Sequence, residues 1–123
     1  WSSLPWLSTV NAPTLVLAGS GDQVVPAANG FQLARLLPES RLHVLEGGHL
    51  CVFDPDGPAP DLLRDFVAAD ELSLSDVWQS GLEVDDDAMV EKALAASAGA
   101  YPYRIFSAAY RRVHDSRDPN GAR

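Results

Sequence analysis

The sequence predicts an α/β fold in which parallel strands are joined by a crossover helix and followed by a helical tail. Two short runs rich in apolar residues, 14–18 and 41–45, are each followed by glycines. The segment between them begins at Pro26, ends at Pro38 and has apolar residues at helical spacing. A helix that connects two strands in this order implies that the strands are parallel neighbours.

The segments on either side of this unit are assigned from their prolines and their apolar spacing. Residues 1–13 are expected to form a lead-in loop, because prolines oppose regular structure there. The apolar anchors of that loop are Trp1, Leu4, Trp6 and Leu7. The proline-rich stretch 54–60 predicts a second loop, and Asp61 is expected to cap a helix that continues through Val67.

A change of composition divides the chain into residues 1–69 and an acidic linker with a helical tail, residues 70–123. The linker is poorly periodic as far as Asp87, so no regular element is predicted in it. Helices are predicted over 85–98 and 103–114. The apolar face of the second helix consists of Ile105, Phe106, Ala109, Tyr110 and Val113.

Charge and composition exclude several classes of function. The formal net charge of −8 gives an acidic surface that repels phosphate groups, which argues against a nucleic-acid partner. The single cysteine cannot form an internal disulfide, in agreement with a cytoplasmic location. No apolar run reaches the length of about 20 residues that a membrane-spanning helix needs.

An acid and a histidine lie just past the ends of the two predicted strands. Asp22 follows the first strand and His49 follows the second. An acid followed by a histidine at strand ends is the second half of a Ser-His-Asp triad in the chain order Ser, Asp, His. The acid would orient the imidazole, and the histidine would act as general base and then as general acid. The serine of a G-x-S-x-G turn is not found in this chain.

Each of these residues also has a structural interpretation. On local sequence alone, the alternative for Asp22 is an ordinary loop aspartate that accepts backbone N–H bonds. His49 is equally a surface histidine, although its order after Asp22 and the glycines before it favour the catalytic interpretation.

The remaining chemical candidates have mainly structural interpretations. His43 lies in the middle of a strand, and His114 lies among arginines in the predicted last helix. Cys51 is surrounded by apolar residues and is expected to be a packed thiol. Ser20 has no nucleophile-elbow glycines around it, and the acidic run 85–87 lacks the spacing of a calcium loop, so no metal site is predicted.

A longer stretch of the chain resembles a known family. Residues 1–53 have a Trp-Leu lead-in, a Pro-Thr-Leu-Val-Leu-Ala-Gly strand, an acid before a hydrophobic-Pro step, and a Leu-His-Val strand that leads to Gly-His-Leu. This pattern resembles the C-terminal part of α/β-hydrolases. More narrowly, it is similar to intracellular poly(3-hydroxyalkanoate) depolymerases that act on medium-chain polyesters. The resemblance extends over about the first 67 residues.

The resemblance implies a fold, a reaction and two site residues. The fold is the C-terminal portion of an α/β-hydrolase fold, with Asp22 as the triad acid and His49 as the triad base. The serine nucleophile and the oxyanion hole are expected upstream of Trp1, so the chain is expected to be a fragment that is inactive by itself. The implied reaction is hydrolysis of an ester or polyester through an acyl-enzyme, with no cofactor.

Two alternatives remain open. The same acid–base pair serves other α/β-hydrolases, such as a lactonase, a carbon–carbon bond hydrolase or a cofactor-free haloperoxidase. Alternatively, the tail of residues 70–123 binds a polyester granule or a protein partner, and the chain is a non-catalytic module.

Overall fold

A computed structural model describes residues 4–97 of the chain. Within this range, four α-helices and three short 3₁₀ helices surround a two-stranded sheet. In chain order the elements are a 3₁₀ helix Leu4–Thr9, strand β1 Thr14–Gly19, helix α1 Ala27–Leu36, strand β2 Ser40–Leu45, a 3₁₀ helix Cys51–Phe53, helix α2 Ala59–Ala68, a 3₁₀ helix Leu72–Leu74, helix α3 Asp76–Ser80 and helix α4 Asp87–Ala96.

The two strands are parallel, which confirms the pairing predicted from the sequence. Their register places Thr14 opposite Ser40 and Gly19 opposite Leu45. Because the strands run in the same direction, the loops that leave Gly19 and Leu45 lie at the same edge of the sheet. This edge carries the two candidate site residues. The complete hydrolase fold stays a prediction, since it would need further strands.

One face of the sheet is covered by α1, which approaches it closely because of a glycine. A Cβ atom on Gly30 would lie 3.0 Å from Cβ of Ala18 and 3.1 Å from Cδ1 of Leu42. Helix α4 packs against α1 and adds Val90 and Leu94 to the same buried core. The part of the predicted tail up to α4 therefore shares one hydrophobic core with the strands.

The opposite face of the sheet is covered by α3, which was not predicted. Nε2 of His43 lies 2.8 Å from the carbonyl oxygen of Val77, and the guanidinium of Arg41 lies 4.7 Å from the ring centre of Trp78. The ring of Trp78 also stacks on Phe66 of α2. The prediction of a linker without regular structure was wrong, because α3 has only five residues and is stabilised by contacts that are distant in sequence.

The outer edge of β2 is partly covered by the segment after α3. Leu42 and Leu82 form an antiparallel bridge, in which each backbone N–H donates to the carbonyl oxygen of the other at 2.9 and 2.8 Å. The outward-facing backbone groups in the middle of β2 are therefore already satisfied.

Several predicted boundaries need correction. Helix α2 begins at Ala59 rather than at Asp61, because Pro58 occupies the position before the first turn, and Asp61 instead bonds Arg64 within the helix. Within the lead-in, residues 4–9 form a 3₁₀ helix rather than a loop, and Trp6 is 67% exposed rather than an anchor. Trp1 lies outside the described residues. The predicted helix 103–114 lies outside the described residues. Within the described part, no helix has the length and apolar character required to cross a bilayer.

Candidate functional site

The candidate site is built from the two loops that follow β1 and β2. Backbone hydrogen bonds join these loops directly past the strand ends. The N–H of Ser20 donates to the carbonyl oxygen of Leu45, and the N–H of Gly21 donates to that of Gly47, both at 2.8 Å. These bonds extend the pairing of the strands into the loops, so the two loops form one unit.

Gly47 allows the second loop to turn back toward the first. Its φ of 129° is a backbone conformation that residues with a side chain rarely adopt. A Cβ atom there would also lie 2.8 Å from Cβ of Cys51, which packs under the loop. The turn at Gly47 directs the chain so that His49, two residues later, lies over the loop that contains Asp22.

The carboxylate of Asp22 is held in place through both of its oxygens. Oδ1 accepts hydrogen bonds from the backbone N–H groups of Val24 and Val25, both at 2.8 Å. Oδ2 lies 2.9 Å from Nδ1 of His49. The side chain of Asp22 is only 8% exposed, so these bonds replace most of its contact with water.

The pairing with Asp22 determines which ring nitrogen of His49 is available for chemistry. An ionised carboxylate can only accept, so Nδ1 carries a hydrogen and donates it to Oδ2. In the neutral ring, Nε2 then has a free lone pair. No side chain or backbone group within residues 4–97 is bonded to Nε2, and the side chain of His49 is 47% exposed. The geometry is therefore that of a general base open to a reactant.

Burial and hydrogen bonding act in opposite directions on Asp22. Burial raises the pKa of its carboxyl, but the hydrogen bonds from Val25, His49 and Val24 and the charge of His49 lower it by more. The net result is that the pKa of Asp22 lies below its ordinary value. The carboxylate therefore remains charged at neutral pH, which is the state needed to stabilise an imidazolium at His49.

This shift predicts a specific dependence of stability on pH. Because folding lowers the pKa of Asp22, the carboxylate stabilises the folded chain above the unfolded pKa of about 3.9, and this stabilisation disappears as pH falls through the lower folded value. We expect the difference in unfolding free energy between the parent chain and Asp22→Asn to be smaller below about pH 4 than at neutral pH. Urea unfolding at a series of pH values measures it. An equal difference at acid and neutral pH would contradict the prediction.

The other candidates have structural positions. His43 is bonded to Val77, as described above. The sulfur of Cys51 packs beside the backbone of Gly19, where an added Cβ would lie 3.0 Å from it. Asp86 caps α4 by accepting the N–H of Ala88, and Asp87 forms an ion pair with Arg35. His114 lies outside the described residues.

Four exposed apolar side chains lie in the same two loops or directly after them, and sequence reasoning gave them no role at the site. They are Val24, Val25, Leu50 and Phe53. Val24 and Val25 contribute the N–H groups that hold Asp22, and Leu50 directly follows His49. The signal in the sequence was their position next to the acid and the base. Among residues 4–97, no group of three His, Cys, Asp or Glu side chains could hold a metal ion.

Comparison with known proteins finds a partial similarity. A stretch of 50 residues is 44% identical to a poly(3-hydroxyalkanoate) depolymerase from Ectopseudomonas oleovorans. The match covers 41% of this chain but only 18% of the relative, so the chain corresponds to less than a fifth of that protein's length. No family model matches the chain, and no solved structure matches it. Part of the chain is thus similar to a depolymerase.

Proposed function

We propose that this chain supplies the acid and the base of a serine-type ester hydrolase of the α/β-hydrolase class. The observation that carries the proposal is the 2.9 Å hydrogen bond between Asp22 and His49 at the carboxyl edge of a parallel sheet. The partial similarity to a poly(3-hydroxyalkanoate) depolymerase supports the same class of reaction. Asp22 is the acid that orients the ring, and His49 is the base.

The proposed reaction uses a serine hydroxyl from a segment outside this chain. Nε2 of His49 takes the hydroxyl proton as the serine oxygen bonds to the ester carbonyl carbon. The resulting imidazolium then donates that proton to the departing alcohol oxygen as the carbon–oxygen bond of the ester breaks. Water attacks the acyl-serine with the same assistance and releases the acid. Throughout, the carboxylate of Asp22 holds the ring orientation and stabilises its positive charge.

The surroundings of the pair favour a substrate with aliphatic groups. Val24, Val25, Leu50 and Phe53 expose apolar surface in the loops that carry the pair or directly after them. Such surface binds hydrocarbon by removing it from water. The net charge of −8 disfavours anionic polymers. A neutral polyester with aliphatic side chains, such as a poly(3-hydroxyalkanoate), combines these properties with a carbonyl group for attack.

The test compares this chain with a longer protein that joins it to the proposed serine-containing segment. We expect the longer protein to hydrolyse p-nitrophenyl octanoate and hydroxyalkanoate oligomers, and this chain to leave both at the background rate. Lactones and carbon–carbon bond substrates, assayed in parallel, separate the other reactions of the same class. Hydrolysis by this chain at the rate of the longer protein, or no ester hydrolysis by either, would show the proposal to be wrong.

A further inference from the structure

Beside the contact between α1 and α4, residues of both helices and of β2 line a groove. Its volume is about 440 Å³, and its lining is mainly apolar, with Phe31 from α1, Val44 from β2, and Met89 and Ala93 from α4. Val44 remains 42% exposed there, although it lies inside a strand. An apolar groove of this kind is typical of a surface that binds another segment.

The position of the groove relates it to the rest of the chain. Ser97, the last residue that the structure describes, lines the groove, so the chain continues from its rim. The sequence that follows includes the predicted helix 103–114. The apolar face of this helix would suit the apolar lining of the groove. That face consists of Ile105, Phe106, Ala109, Tyr110 and Val113.

Charge adds an independent argument. Residues 98–123 contain five of the nine cationic side chains of the chain and two of its seventeen acidic ones. The preceding residues, 1–97, therefore carry four cationic and fifteen acidic side chains. The net charge is therefore +3 for residues 98–123 and −11 for residues 1–97, so the two parts of the chain attract each other.

The lengths of the two elements also agree. Helix α4 has ten residues and is about 15 Å long, and a helix over residues 103–114 would be about 18 Å long. Gly99 and Pro102 allow the chain to turn between them. If the second helix returned antiparallel to the first, Arg111 and Arg112 would come alongside the acidic start of α4, where Asp85 and Asp86 precede the helix and Asp87 and Glu91 lie in its first half.

We propose that residues 103–114 of the same chain occupy the groove that α1, α4 and Val44 line. In this arrangement the apolar face of the segment covers Phe31, Val44 and Met89, and its two adjacent arginines lie near the acidic end of α4. The occupant is thus the basic amphipathic segment of this chain rather than a granule, a second copy or a small apolar ligand.

The first test is a cross-link in the full chain. In a Cys51→Ala background, Ala93→Cys is combined with Ala109→Cys, and mild oxidation is followed by electrophoresis without reductant. We expect a disulfide within one chain. The control combines Ala109→Cys with Val67→Cys on α2, which packs with α3 on the opposite side of the sheet, and we expect no such disulfide. Disulfides mainly between two chains, or equal cross-linking of both pairs, would overturn the proposal.

A second test needs no engineered cysteine pair and uses Met89, the only methionine of the chain. Its oxidation by peroxide adds one oxygen atom to the thioether sulfur, which mass spectrometry detects. We expect Arg111→Glu with Arg112→Glu to raise the oxidation rate about fivefold, the scale of two lost surface ion pairs. The matched control, Arg117→Glu with Arg123→Glu, changes the charge equally outside the segment and is expected to leave the rate unchanged. Equal rates for the two double variants would overturn the proposal.

Discussion

On the proposed function, replacing His49 by alanine is expected to reduce ester hydrolysis by about 10⁴- to 10⁶-fold in a protein that joins this chain to the proposed serine-containing segment. Among residues 4–97, the imidazole is the one base bonded to Asp22, so its loss would remove both proton transfers of the proposed reaction. Asp22→Asn is expected to cost about 10⁴-fold in kcat, because an amide no longer selects the tautomer with a free Nε2. Steady-state kinetics with p-nitrophenyl octanoate measures both effects.

The matched control for this prediction is the other described histidine. His43→Gln removes an imidazole that bonds the carbonyl oxygen of Val77 on the opposite side of the sheet from α1. It is expected to cost about 1 kcal/mol of stability and to leave kcat within a factor of two. If His43→Gln and His49→Ala reduced kcat equally, the loss at position 49 would reflect folding rather than proton transfer.

The second large effect is expected in the core. Leu42 is 1% exposed, lies under α1 beside Gly30 and is bonded through its backbone to Leu82. Leu42→Ala would leave a cavity between β2 and α1. The cavity would persist because β2 is fixed by its hydrogen bonds to β1 and cannot shift to fill it. We expect a loss of about 3–5 kcal/mol in the free energy of unfolding. That is a large part of the about 5–15 kcal/mol that stabilises an ordinary domain.

The same truncation at an exposed position is the control for Leu42→Ala. Leu74 is 66% exposed in the 3₁₀ helix before α3, and Leu74→Ala is expected to change stability by less than about 0.5 kcal/mol. Urea unfolding followed by tryptophan fluorescence measures both variants. A similar small effect at both positions would mean that Leu42 does not belong to a tightly packed core.

The parallel pair and its crossover helix were predictable from local sequence, because apolar runs, prolines and glycines determine where such elements begin and end. The closeness of Asp22 and His49 followed from this topology, since adjacent parallel strands bring their ends together. The contacts of Asp22 agree with both of its interpretations, and its catalytic role stays a prediction. One oxygen accepts backbone N–H groups like an ordinary loop aspartate, and the other contacts the imidazole.

The features that local sequence did not predict depend on distant partners. Helix α3 is too short to be recognised by periodicity, and it is held by Trp78 packing on Arg41 and Phe66. The exposure of Trp6 depends on how the lead-in meets α1, which no local pattern encodes. Both Pro58 and Asp61 are residues at which α2 could begin. The structure places the boundary at Pro58, so the helix starts at Ala59.

The bridge between Leu42 and Leu82 makes the two edges of the small sheet different, because it covers the outer edge of β2. Along the middle of β2, the amide and carbonyl groups that face away from β1 are already bonded, so an incoming strand finds no continuous ladder on that side. Any enlargement of this sheet, whether by another region of a longer polypeptide or by a foreign chain, has to start at β1. The difference between the two edges would also limit polymerisation. A growing sheet needs two open edges on each molecule, and the edge at β2 is already bonded to Leu82.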